Sequence, residues 1–169
     1  MSRGMSDWMS LTLRRARPDE AGLVLSLVRE LADYEKLLHE VEATEADIEA
    51  ALFGANPRLF CEIVEWEGEP AGFAVWFINF STFSGRSGIY LEDLFVRPAQ
   101  RGKGIGKALV AHLAKQCVAN GWSQLQWAVL DWNTPSIEFY KSIGAVLMDE
   151  WTLCRVNGSA LATLAEGAR

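Results

Sequence analysis

Residues 101–107 read Arg-Gly-Lys-Gly-Ile-Gly-Lys, between two segments of opposite hydrophobic period. Before them, residues 89–96 carry the apolar, β-favouring pattern of a strand, with Pro98 just beyond. After them, residues 106–120 place Leu109, Val110, Leu113 and Cys117 at helical spacing and stop at Asn120-Gly121. A strand, a glycine loop and a helix are therefore expected in direct succession. Glycines let such a loop turn tightly and approach a ligand without Cβ interference. The free N–H groups and the dipole at the helix start favour an anion such as a pyrophosphate. Arg101 and Lys103 add positive charge. The spacing excludes two nucleotide motifs. G-x-x-x-x-G-K-[ST] fails because Ala108 follows Gly106-Lys107 and residue 101 is not glycine. G-x-G-x-x-G fails at Lys107. The pattern [QR]-x-x-G-x-[GA] is met by Arg101, Gly104 and Gly106. Taken alone, the stretch also reads as a tight entry turn into a helix.

The remaining chain supplies the setting. Residues 11–15 read as a strand, and Pro18-Asp19-Glu20 opens a helix whose apolar face is Leu23, Leu27, Val28 and Leu31. That helix ends in the charged run Asp33-Tyr34-Glu35-Lys36. Thr44-Glu45-Ala46-Asp47 resembles a capping box with Asp in place of Glu, and starts a short helix stopping near Gly54. Strands over 59–65 and 71–80 flank a turn at residues 67–70, and a Ser/Gly-rich loop spans 81–88. Residues 124–130 alternate as a strand, Thr134-Pro135 begins a helix ended by Gly144, and 151–156 read as a last strand. The order β-α-α-β-β-β-α-β-α-β predicts a mixed α/β sheet with helices on both faces.

Composition narrows the functional classes. The chain has 169 residues with 50% apolar and 22% charged side chains, a balance that suits one globular domain over residues 11–169. Residues 1–10 are polar and expected to fray. No run approaches the roughly 20 apolar residues of a membrane span, and no secretory signal is evident, so a cytoplasmic protein without a membrane partner is expected. A net charge of −6 argues against a nucleic-acid partner. Three widely spaced cysteines (Cys61, Cys117 and Cys154) and two isolated histidines (His39 and His112) form neither a disulfide framework nor a metal-ligand pattern, so no metal is expected.

The glycine loop, preceded by Val96-Arg97-Pro98 and followed by residues 133–145 (Asn-Thr-Pro-Ser-Ile-Glu-Phe-Tyr-Lys-Ser-Ile-Gly-Ala), resembles the GNAT superfamily of N-acetyltransferases. Four stretches are similar to its diamine acetyltransferase branch, the spermidine/spermine and thialysine enzymes. They are residues 29–35, Tyr90-Leu91-Glu92-Asp93-Leu94, residues 101–106 and Leu130-Asp131-Trp132-Asn133. Ser81-Thr82-Phe83 and residues 129–133 look more like the thialysine side. The resemblance implies a central, mostly antiparallel twisted sheet with a splayed parallel pair. It also implies acetyl-CoA as co-substrate, a small amine as acceptor, and a homodimer.

On that resemblance, Leu94, Phe95 and Val96 offer backbone groups to the pantetheine arm, and Arg101, Gly102, Lys103, Gly104, Ile105, Gly106 and Lys107 cradle the pyrophosphate. Asn133 and Ser136 face the cofactor from the helix bearing Tyr140. Tyr140 is the expected acid, its phenol protonating the departing thiolate, whose thiol has a pKa near ~8.5. On spacing alone Tyr140 reads as packing with Phe139 and Ile143. An alkylammonium, with a pKa near ~10.4, must lose a proton before attack. The resemblance gives that task to Glu92 at the acceptor site, through water. Asp93 holds a second amine or a structural hydrogen bond, and adjacent strand residues are expected to point to opposite faces. Tyr34 and Glu35 match amine-contacting positions, and Asp149 and Glu150 add negative charge. Polyamine-using relatives carry an acid in the loop before the Tyr-Leu-Glu-Asp strand. Here that loop has only Arg86, an expected partner for the carboxylate of a lysine-like acceptor. The alternatives are an acetyl-CoA-binding module that senses without turnover, and an acetyltransferase for protein lysines or N-termini.

Overall fold

Alternating side chains give the strands two apolar faces, and five of them build one sheet in the order β1-β2-β3-β4-β5. They are β1 (Leu11–Arg15), β2 (Phe60–Trp66), β3 (Glu69–Ser81), β4 (Arg86–Val96) and β5 (Leu125–Gln126). The first three neighbouring pairs are antiparallel and β4–β5 is parallel. This is the expected mixed architecture, in a computed structural model that describes residues 10–168. The frayed tail expected over residues 1–10 lies, except for Ser10, outside them. The chain divides into two compact units, Met1–Val129 and Leu130–Arg169.

In the first unit, α1 (Ala21–Tyr34) and α2 (Glu45–Phe53) cover one face of the sheet. There Val24, Leu27, Leu31 and Leu52 pack with Cys61, Ile63, Phe73, Val75 and Phe95. The other face takes α3 (Ile105–Asn120), whose Ile105, Leu109, Leu113 and Cys117 meet Val64, Ala74, Trp76, Ile89 and Leu91. Each fully buried side chain of this size, Phe73 or Leu109 for example, contributes about 1.5–3 kcal/mol.

Local chemistry sets the ends of the helices. Before α1, Pro18–Glu20 forms a 3-10 turn whose Glu20 carboxylate accepts from Arg14 Nη1 and Nη2 at 2.8 and 2.7 Å and from the Arg17 N–H at 2.8 Å. The Arg14 guanidinium, above all, holds the Glu20 carboxyl down at about 2. The capping box at α2 forms as expected: Thr44 Oγ1 accepts from the Asp47 N–H at 3.3 Å, and the Asp47 carboxylate accepts from the Thr44 N–H at 2.8 Å. At the end of α1, Leu37 N–H reaches Ala32 O at 2.7 Å and Lys36 N–H reaches Asp33 O at 3.0 Å. This is a Schellman closure with Lys36, at φ 62°, where glycine is usual. The left-handed backbone costs a non-glycine residue about 1 kcal/mol.

Some boundaries differ from the sequence reading. The turn expected over 67–70 contracts to Glu67-Gly68, both with positive φ, because Trp66 already pairs with Glu69. Two such residues match the twist of the flanking strands. The loop expected over 81–88 shortens to residues 82–85, since Ser81 pairs with Arg86 and Asn79 with Gly88. The strand expected over 124–130 is only Leu125–Gln126. Residues 151–156 form no strand among the described residues and are exposed. Alternation alone does not make a strand, which needs a neighbouring edge to bond. The second unit instead holds α4 (Thr134–Ser142) and α5 (Gly158–Glu166). The sequence reading missed α5, although Leu161 and Leu164 at helical spacing among alanines behind Asn157 were its signal.

Candidate active site

The site in the first unit grows from an irregularity in β4. Val75 pairs with Asp93, but Trp76 pairs with Leu91, so Glu92 is an extra residue in the strand. This bulge changes which face the strand shows and overrides the strict alternation expected of Glu92 and Asp93. Ile89 and Leu91 pack on the α3 side, whereas Phe95 packs on the α1 side, as does Val75, the partner of Asp93. Past the bulge, β4 parts from β5. Their pairing covers Ile89–Leu125 and Tyr90–Gln126 and extends no further. Bulges bend and twist a strand, which accounts for the short β5.

The ladder to β3 shows where the edge groups point. Arg97 N–H donates to Ala71 O at 2.8 Å, so Val96 and Gly72 form a wide pair. By the same alternation Leu94, opposite Ala74, is also wide. The N–H and C=O of Leu94 and Val96 therefore point away from β3, toward the side where β5 has diverged. Gly72 permits this close pairing, because a Cβ there would sit 2.3 Å from Phe95 O. The sequence reading did not single out Gly72; an isolated glycine inside a strand pattern was the available signal.

Three carboxylates gather beside this edge. Asp93 is partly buried, and burial first, then the charges of Glu92 and Glu35, push its carboxyl up to about 7. Burial also raises Glu35, which the Schellman closure of α1 holds in place. Glu92, on the bulge, is exposed. The Tyr34 ring lies 6.5 Å from that of Phe95. A bidentate contact from Arg97 Nε and Nη2 to Glu30, at 3.0 and 2.8 Å, ties α1 to the end of β4. Helix α1 and strand β4 thus bring Tyr34, Glu35, Glu92, Asp93 and Phe95 together. Arg86 is not among them. It stands at the mouth of the β3–β4 hairpin, seven residues before Asp93, or roughly 20 Å along a strand. Its expected role at a carboxylate of an acceptor near Asp93 is thereby withdrawn.

Beyond β4, residues Pro98–Gln100 make a 3-10 turn, and Gly102 and Gly104 take φ of 80° and 77°. Gly104 caps α3 with no side-chain hydrogen bond, and no acidic residue lies in the first turn. In contrast to α2, with its Thr44 and Asp47, the first turn of α3 keeps its N–H groups for an external acceptor. Around Gly102 and Gly104 there is open space. Arg101, Lys103 and Lys107 are exposed, Gly106 is partly buried and Ile105 is anchored in the core. Such a cradle fits a pyrophosphate.

In the second unit, Asn133 caps α4, its side chain accepting from the Ser136 N–H at 3.4 Å. Tyr140 is buried on the same helix, its ring 5.3 Å from Phe139. Asp149 and Glu150 are exposed. Of the thiols, Cys61 is buried and its pKa is driven up by desolvation, with the Glu62 and Asp93 charges adding; burial also raises Cys117. Both are held as poor nucleophiles. Among the described residues there is no group of three or more His, Cys, Asp or Glu side chains placed to hold a metal, and no helix long and apolar enough to cross a membrane.

The sequence profile of the acetyltransferase (GNAT) family matches residues 24–145, which span the carboxylate cluster, the glycine loop and α4. The chain belongs to the GNAT acetyltransferase family. It is an N-acetyltransferase, and acetyl-CoA is the family's acetyl donor. Among curated relatives, thialysine N-epsilon-acetyltransferase from Sus scrofa is 38% identical over 167 residues, covering 92% of this chain and 98% of its own length. L-ornithine N5-acetyltransferase from Arabidopsis thaliana is 29% identical, covering 88% and 85%. An integron cassette protein from the mobile metagenome of V. cholerae shares the fold at a TM-score of 0.78 and 29% identity, covering 94% of this chain and 99% of its own. An aminoglycoside acetyltransferase from a soil metagenome shares the fold alone, at a TM-score of 0.74 and 14% identity. The diamine/thialysine branch expected from the four sequence stretches agrees with these relatives.

Proposed function

We propose that this N-acetyltransferase acts on the primary amine of a small cationic molecule, a diamine or a lysine-like amino acid such as thialysine. The observation that carries the reading is the carboxylate cluster of Glu35, Glu92 and Asp93, set beside a strand edge whose backbone groups point outward. An alkylammonium supplies the positive charge that such a cluster lacks. Relatives that acetylate thialysine and ornithine support the same acceptor class.

In this reading the edge groups of Leu94 and Val96 hold the pantetheine arm, and residues 101–107 hold the pyrophosphate at the start of α3. Asn133 and Ser136 join them, on the family pattern. The acceptor ammonium is held by Glu35, Tyr34 and Glu92. Its proton passes to Asp93, directly or through water. This moves the proton acceptor from Glu92, where the family resemblance puts it, to its neighbour. A carboxyl held near 7 is matched to operation at neutral pH, and Glu92 is the more exposed of the two. The neutral amine then attacks the thioester carbonyl carbon, the C–S bond breaks, and Tyr140 gives its phenolic proton to the departing thiolate. Transfer is direct, in a ternary complex, as the protonated state of Cys61 and Cys117 also favours. Residues 11–169 act as one acetyltransferase domain. Buried free thiols fit a reducing cytoplasm, and the exposed Ile78, Phe80 and Phe83 on the β3–β4 hairpin support self-association as a homodimer.

The test is release of free CoA from acetyl-CoA with putrescine, spermidine, lysine, thialysine or a basic peptide. A marked preference for one small amine is expected. Tight acetyl-CoA binding with no turnover on any of them replaces this reading with a sensing module. Turnover on the peptide alone replaces it with a protein acetyltransferase.

A further inference from the structure

The two cations that lead the glycine loop are held on opposite sides of the sheet. The Arg101 guanidinium carbon lies 4.7 Å from the centre of the Tyr34 ring, on the α1 side. Lys103 turns to the α3 side, where its Nζ stands 4.8 Å from the centre of the Trp66 ring and donates to Gln100 Oε1 at 2.6 Å. Trp66 is the last residue of β2, paired with Leu11 and Glu69 and packed on the apolar cluster that holds Ile105. Gln100 closes the 3-10 turn before the loop. An exposed lysine ordinarily samples many rotamers. This one is pinned between a strand end and a turn, so much of the entropy cost of fixing it is met before a ligand arrives. Among the described residues no carboxylate pairs with it. An ammonium has three N–H groups, and Gln100 takes one.

We infer that Lys103, positioned by Trp66 and Gln100, recognises the 3′-phosphate of CoA and so selects CoA over its dephospho form. This rests on the proposed cofactor role of the glycine loop and deepens it. CoA carries phosphate in two places, a pyrophosphate in mid-chain and a monoester on the ribose. The pyrophosphate is matched by backbone N–H groups at the start of α3, which need no side chain. Lys103 lends that cradle its backbone, between Gly102 and Gly104, but its ammonium is drawn off to the Trp66 ring, and the space around both glycines stays open. A fixed point charge set beside a pyrophosphate site suits a second phosphate, here a compact dianion. The other two cations of the loop are worse placed for it. Arg101 is turned to the α1 side, with its Nε donating to Val96 O at 2.9 Å. Lys107 belongs to the first turn of α3, the turn that takes the pyrophosphate. The indole of Trp66 is the strongest of the aromatic partners for a cation, and a strand end carries it rigidly.

The experiment is calorimetric titration of CoA and of 3′-dephospho-CoA into the wild type and four variants. The wild type should bind CoA roughly ten- to hundredfold more tightly than dephospho-CoA, the range of a charge-assisted hydrogen bond. Lys103→Met should bring CoA down to the affinity of dephospho-CoA and leave dephospho-CoA itself unchanged. Lys103→Arg, which keeps the charge, should retain most of the preference. Trp66→Leu should lose part of it, and Trp66→Phe, which keeps a ring face, should lose less. The ratio of the two affinities is the readout, because a general disturbance of the loop weakens both ligands alike. Lys103 is exposed, so its variants decide the matter even if Trp66→Leu folds poorly. A wild type that does not distinguish the two ligands overturns the inference. So does a Lys103→Met that weakens both equally, which returns Lys103 to the pyrophosphate, or one that weakens neither. A folded Trp66→Leu with the wild-type ratio overturns the positioning role of Trp66. Each of these results leaves the cofactor reading standing, whereas a wild type that binds neither ligand overturns both.

Discussion

Asp93 offers a test that needs no substrate. An ordinary aspartate loses its proton near ~3.9, and the same group in the fold keeps it to about 7 because burial, then Glu92 and Glu35, oppose its charge. The folded protein therefore binds more protons than the unfolded chain between about pH 4 and pH 7, and stability must fall with rising pH across that window. At about 1.36 kcal/mol per pH unit, the loss from pH 5 to pH 8 is about 2.7 kcal/mol, brought to about 2 by solvent reaching the partly exposed carboxyl. Glu20, held down at about 2, contributes stability that is lost only as pH falls below the ordinary glutamate range, so it does not interfere above pH 5. Asp93→Asn keeps the shape and removes the charge. Urea unfolding of both proteins at pH 5, 6, 7 and 8 should show the variant gaining on the wild type by about 2 kcal/mol across the series, with little difference at pH 5. Saturating putrescine should shrink the gap at pH 8, because a bound ammonium compensates the carboxylate. Parallel stability curves for the two proteins would mean that Asp93 ionises normally, and its role as proton acceptor would fall with them.

Two further outcomes follow from the geometry. Gly72→Ala must push Phe95 O away from a Cβ that would stand 2.3 Å from it; we expect a loss of about 1–3 kcal/mol in chemical unfolding and, on the proposed cofactor role of the β4 edge, a higher KM for acetyl-CoA. Tyr140→Phe should lower kcat by about 10²-fold or more with little change in KM for the amine, measured by CoA release, and a kcat near wild type would leave Tyr140 a packing residue.

Several of the elements around the candidate site were legible before any fold was known. The loop at 101–107 demanded a strand before it and a helix after it, because its glycines take φ values that other residues resist and its helix start lacks a side-chain cap. Thr44 and Asp47 announced α2 through local hydrogen bonds. Thr134-Pro135 and Gly144 bounded α4. These are short-range properties, written in neighbouring residues. Tertiary pairing alone decided the rest. The bulge at Glu92 depends on the register between β3 and β4, which no single strand contains. That register turns Asp93 toward α1, ends the β4–β5 ladder and aims the groups of Leu94 and Val96 outward. The pairing of Ser81 with Arg86 removed Arg86 from a site the linear sequence had suggested for it, and residues 151–156 alternate like a strand yet form none. Glu35 and Asp93 lie far apart in the chain, and only packing of α1 on the sheet makes their charges one cluster, because an electrostatic field depends on distance in space and not on separation in sequence.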